Sequence, residues 1–129
     1  MQKLSQTEET IEVEISGLAE HYQNAGIIGL SDVIRDRSQG QRLSLYLLTD
    51  QNRRPLAGNL NSWPTASRPG DWIDFEYQRP IGSRIVEHRA HARHFVLPGG
   101  FNLLVGYDVQ DQVRLEQRMR GSMIWIGVL

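Results

Sequence analysis

Arg84-Ile-Val-Glu-His-Arg-Ala-His-Ala-Arg-His-Phe-Val-Leu97, then Pro98-Gly99-Gly100, then Phe101-Asn-Leu-Leu-Val-Gly106, is the stretch on which the fold turns. The first run predicts a long strand with room for a bulge, and the last predicts its return strand. Pro98-Gly99-Gly100 between them predicts a tight hairpin, with glycine supplying positive φ. Upstream, Trp72-Ile-Asp-Phe-Glu-Tyr-Gln78 alternates apolar and polar residues, the mark of a strand with one wet face. Pro80 to Ser83 predicts the turn that joins it to the long strand.

Further upstream, Arg42-Leu-Ser-Leu-Tyr-Leu-Leu-Thr49 is a nearly continuous apolar run, as in a central strand buried on both faces. Asp50 to Pro55 predicts a turn, and Leu56 to Leu60 a short strand back. Residues 61–71 are rich in Asn, Ser, Pro and Gly and predict a loop. At the N-terminal end, Leu4, Ile11, Ile15, Leu18 and Tyr22 form a helical apolar stripe, broken at Glu8. Asn24 and Gly26 are expected to stop this helix. A short second helix is expected near Ser31-Asp32, ending at Ser38-Gln39-Gly40. Downstream, Asp108 is expected to cap a helix running through Val109, Val113, Leu115 and Met119. The expected order is helix, helix, about five antiparallel strands, helix: an α+β domain.

The bulk numbers set limits. A chain of 129 residues fits one domain with a real core. Its net charge of −1 gives no general attraction to nucleic acid or anionic lipid. With no cysteine, a disulfide framework, a cysteine nucleophile and a cysteine zinc site are excluded. Thirteen arginines stand against the single Lys3. Gly121-Ser-Met-Ile-Trp-Ile-Gly-Val-Leu129 carries no charge, and about 20 apolar residues are needed to cross a bilayer. The expectation is that residues 1–120 are a domain outside the membrane and residues 121–129 the start of a transmembrane helix.

Leu45-Tyr-Leu-Leu-Thr-Asp-Gln-Asn-Arg-Arg-Pro-Leu-Ala-Gly58, Asn59-Leu-Asn-Ser-Trp-Pro64 and Leu97-Pro-Gly-Gly-Phe-Asn-Leu-Leu-Val-Gly-Tyr-Asp108 resemble segments of the extracytoplasmic sensor domains of bacterial two-component histidine kinases. The resemblance implies a PAS-like fold of the PDC/Cache type. It implies a periplasmic domain held at the inner membrane, passing a small-molecule or ion signal through its exit helix to a cytoplasmic kinase. That kinase would use ATP and Mg and would phosphorylate a cognate response regulator. The domain itself would have no enzymatic activity and no cofactor. Related domains precede chemoreceptor and diguanylate cyclase modules, so those outputs are alternatives. A parallel homodimer through Leu4, Ile11, Ile15 and Leu18 is expected, beside the reading in which this helix packs on its own domain.

The candidate ligand residues are the aromatics Tyr46, Trp63, Trp72 and Tyr77 and the basic groups Arg84, His88 and His94. Trp63 and Trp72 flank the 61–71 loop and would cap a pocket against the sheet. His88, His91 and His94 are the one histidine cluster, and the competing reading is a small metal-dependent enzyme built on them. Strand alternation argues against it, because His88 and His94 share one face and His91 points to the other. Histidine also titrates near neutrality, which suits a pH-sensing role.

Overall fold

The computed structural model describes residues 5–39 and 43–110. Leu4, the stretch beyond Gln110 where an exit helix is expected, and the apolar run 121–129 lie outside the described residues. Ser5 opens the first helix with a capping box: its hydroxyl accepts the Glu8 amide, and the Glu8 carboxylate accepts the Ser5 amide. The helix, α1 (Gln6–Arg37), bends sharply at Gly26, whose φ of 72° and ψ of −171° no helix tolerates. A straight helix would separate Glu14 from Arg37 by about 34 Å at 1.5 Å per residue. Their side chains instead meet at 2.7 Å, so the second arm folds back on the first. The turn falls where Asn24 and Gly26 predicted a stop, but helix resumes at once. Leu30 and Ile34 bury completely from this second arm and hold it down.

Five antiparallel strands follow: β1 (Ser44–Thr49), β2 (Pro55–Gly58), β3 (Trp72–Ile81), β4 (Arg84–Val96) and β5 (Asn102–Asp108). Their order in the sheet is β2-β1-β5-β4-β3. The β4–β5 pair closes through Gly99 (φ 98°) and Gly100 (φ 88°), the positive-φ turn the sequence called for. β4 carries no bulge: its ladder with β3 runs without a break from Trp72↔Arg93 to Ile81↔Arg84. Pro80 belongs to β3 rather than to the turn, which shortens to Gly82-Ser83. β3 is an edge strand, where a missing amide costs no ladder bond.

Side chains alternate between two faces of the sheet, and each face has its own core. One face packs beneath α1, where Ile11, Ile15, Leu18, Leu30 and Ile34 meet Tyr46, Leu48, Leu103 and Val105. The other gathers Leu45, Leu47, Ile73, Phe75, Ala90, Ala92 and Leu104 under Leu60, Trp63 and Tyr77. Each fully buried leucine or isoleucine contributes about 1.5–3 kcal/mol. Ile11, Ile15 and Leu18 are at most 5% exposed, so the stripe assigned to a homodimer is spent on this domain's own sheet. A dimer through these side chains is thereby corrected to an intramolecular contact.

Candidate ligand cleft and its polar supports

On the face away from α1, the 59–71 loop folds across the sheet and leaves an open cleft of about 540 Å³. Leu45, Leu60, Trp63, Phe75 and Tyr77 supply its apolar surface, and Asn61, Ser62, Gln78 and Arg79 its polar surface. Such a mix suits a small organic ligand, with apolar walls for area and a few polar groups for orientation.

A chain of hydrogen bonds with one direction holds the loop down. The Trp63 indole N–H donates to Ser67 Oγ (3.1 Å), and Ser67 Oγ lies 2.8 Å from His94 Nδ1. His94 Nε2 lies 2.8 Å from Asn102 Oδ1, and the Asn102 amide donates to the Asp50 carbonyl. A hydrogen on Nε2 and an acceptor at Nδ1 satisfy every link, which is neutral histidine in one tautomer. Burial, the largest influence, pushes the His94 pKa below its ordinary value. The Gly70 amide donates to the His94 carbonyl and the His94 amide to the Asp71 carbonyl, pinning the loop's far end to β4. The Arg53 guanidinium sits over the Trp63 ring, 4.6 Å from its centroid.

Beside the cleft, three side chains converge on Asp108, the last residue of β5. Tyr77 donates its hydroxyl to Asp108 Oδ2, His88 Nδ1 lies 2.7 Å from the same oxygen, and Arg79 reaches it at 3.4 Å. Burial alone would raise the Asp108 pKa. Hydrogen bonds from Tyr77, the Gln110 amide and His88 more than offset it, and the pKa is lowered. Burial, and then the bond to Asp108, push the Tyr77 hydroxyl up to about 12. Asp108 Oδ1 accepts the Gln110 amide at 2.9 Å, and the helix that Asp108 was expected to cap lies outside the described residues.

On the α1 face, His91 joins three elements. Its Nε2 lies 2.8 Å from Glu8 of α1, and its Nδ1 lies 2.6 Å from Asp74 of β3. Its ring stacks on Trp72, with centroids 5.0 Å apart and planes 4° from parallel. Burial opposes protonation here, but the two carboxylates outweigh it and the His91 pKa is raised. The hydrogen bond from His91 is the main cause that lowers the Glu8 pKa. Arg93 pairs with Glu12 one helical turn further along.

Of the seven candidate ligand residues, Trp63 and Tyr77 line the cleft. His88 and His94 stand behind it as supports. Tyr46 lies on the opposite face, 2% exposed, with its hydroxyl on Glu14, because its parity on β1 aims it at α1. Trp72 lies on that same face, under His91, by its parity on β3. Arg84 is exposed at the tip of the β3–β4 hairpin, away from the cleft. The three histidines do not converge, since each serves a separate cluster. Among the described residues, no group of three or more His, Cys, Asp or Glu is placed to hold a metal ion. The partners Glu8, Asp74 and Asp108 come from other elements. In the sequence the one trace of Glu8's role is its place on the apolar stripe, which a purely solvated residue has no reason to occupy.

No protein-family model and no curated protein matches this chain. Among the described residues, no helix is long and apolar enough to cross a membrane.

Proposed function

We propose that this chain is the signal-input domain of a membrane-bound bacterial sensor histidine kinase, of PAS-like (PDC/Cache) type, with the cleft as its ligand site. The observation that carries the reading is the double role of Tyr77. Its ring lines the cleft, and its hydroxyl bonds Asp108, the residue at which the chain leaves the sheet. A ligand pressing on Tyr77 has a one-residue path to the start of the exit segment. Two arrangements of the Tyr77–Asp108–His88 contact would then be read out as two arrangements of that segment. The α+β order, a long N-terminal helix followed by a five-stranded antiparallel sheet closed by the Pro98–Gly100 hairpin, supports the same reading.

The coding frame on both sides of this segment tests the reading. The account expects the apolar run to reach about 20 residues and a kinase core to follow. A stop codon there, or a different output module, contradicts it. In the whole membrane protein, Tyr77→Phe keeps the cleft wall and removes the hydroxyl. It is expected to leave ligand affinity near wild type while abolishing the ligand's effect on autophosphorylation. A full response in Tyr77→Phe would refute this path.

A further inference from the structure

We propose that the tip of the β3–β4 hairpin, Pro80-Ile-Gly-Ser-Arg-Ile85, rests on the surface of an anionic bilayer. This rests on the membrane-bound reading above and adds a contact to it. β3 and β4 stay paired to Ile81↔Arg84, whereas β5 leaves β4 at Ala90↔Asp108. The hairpin therefore runs on alone as a two-stranded ribbon, about 20 Å past the end of β5 at roughly 3.3 Å per residue. At its tip Ile85 is 70% exposed and Ile81 47% exposed, and Pro80, Gly82, Ser83 and Arg84 are exposed with them. Arg84 is the only charge in those six residues, and it makes no ion pair among the described residues. Two exposed branched apolar side chains beside a cation are a composition that water disfavours and a lipid interface accepts.

On the membrane-bound reading, the direction of the chain puts the bilayer at that end. β5 runs antiparallel to β4, so at Asp108 it is heading toward the tip. The N-terminus of α1 points the same way: Glu8 sits at His91 and Glu12 at Arg93, so lower numbers on the helix meet lower numbers on β4. The uncharged run 121–129 follows Asp108 after twelve residues, and Arg114, Arg118 and Arg120 precede it in the sequence, cations suited to anionic headgroups.

The absence of cysteine makes the test simple. Ile85→Cys and Ile28→Cys, each in the full chain, are labelled with an environment-sensitive fluorophore. Ile28 is 76% exposed and lies just past the Gly26 bend, at the far end of the first arm of α1. The probes are vesicles of phosphatidylcholine with phosphatidylglycerol, and flotation reports binding separately. The expected result is co-flotation, with a blue shift and severalfold gain in emission at position 85 and none at position 28. Lipids carrying a quencher should dim only the label at 85, and Arg84→Glu should reduce the gain. If the chain floats with the vesicles but both labels stay water-exposed, the tip contact is wrong and the membrane reading stands. A chain that does not float refutes the tip contact, while the coding frame tests the membrane reading separately. Emission at 85 that rises with protein concentration and no vesicles would assign the tip to a second copy of the chain, overturning the proposal.

Discussion

His91 and His94 stand three residues apart on one strand, and their surroundings push their pKa values in opposite directions. His91 faces α1 between two carboxylates, which raise its pKa. His94 faces the loop in a neutral relay, and burial lowers its pKa. The alternation of β4 alone sends them to different chemistry. The lesson is that this sheet carries a clamp that favours charged histidine on one face and a latch that favours neutral histidine on the other. Acid strengthens the first and weakens the second.

The largest effect expected is on the helix face. Ile11→Asp buries a carboxylate with no partner and should cost more than about 4 kcal/mol, enough to unfold the domain. Circular dichroism would show the loss of structure. A folded monomer would instead restore the dimer role for this stripe. Next comes the latch. His94→Ala strands Ser67 and Asn102 and is expected to cost about 2–3 kcal/mol in urea unfolding. Proteolysis should then cut the 61–71 loop while α1 stays protected. Equal loss of protection on both faces would mean that the two cores do not respond separately.

The clamp is expected to matter less. Glu8→Gln should cost about 0.5–1 kcal/mol at pH 6, because the pair is partly exposed to water. Its pH dependence has a definite sign. A raised His91 pKa gives stability fully present below the ordinary value of 6.5 and lost as pH rises through the raised value. The lowered Glu8 pKa gives stability present above 4.5 and lost as pH falls through the lowered value. The cost of Glu8→Gln should therefore shrink in alkali, and urea midpoints across pH 5–9 would check it. The latch has the opposite sign: a lowered His94 pKa gives stability present above 6.5 and lost in acid. The smallest effect belongs to Arg35→Ala. Its pair with Asp32 is exposed on both sides, and no change in midpoint is expected.

Much of this fold was legible in the sequence because it rests on local rules. The period-2 pattern of Trp72–Gln78, the Pro98–Gly100 turn and the apolar Leu45–Leu48 run each fix their element with no help from distant residues. The Gly26 break was legible too, but not its sharpness, which depends on where Leu30 and Ile34 find a core. The candidate site was less legible, because its groups meet across long separations. Trp63 and Tyr77 were found among the candidate aromatics. Tyr46 and Trp72 were misplaced, because face assignment needs the parity of each strand relative to the helix. The acidic partners were missed for the same reason. Glu8 breaks the apolar stripe because it points inward to His91, eighty-three residues away in sequence.

The most direct test of the two-faced sheet is a histidine NMR titration of the wild-type chain, following His91 and His94 in one series of spectra. The account predicts that His91 titrates above 6.5 and His94 below it, and that Glu8→Gln lowers the first without moving the second. Two histidines titrating together near 6.5, or both shifting in Glu8→Gln, would contradict it.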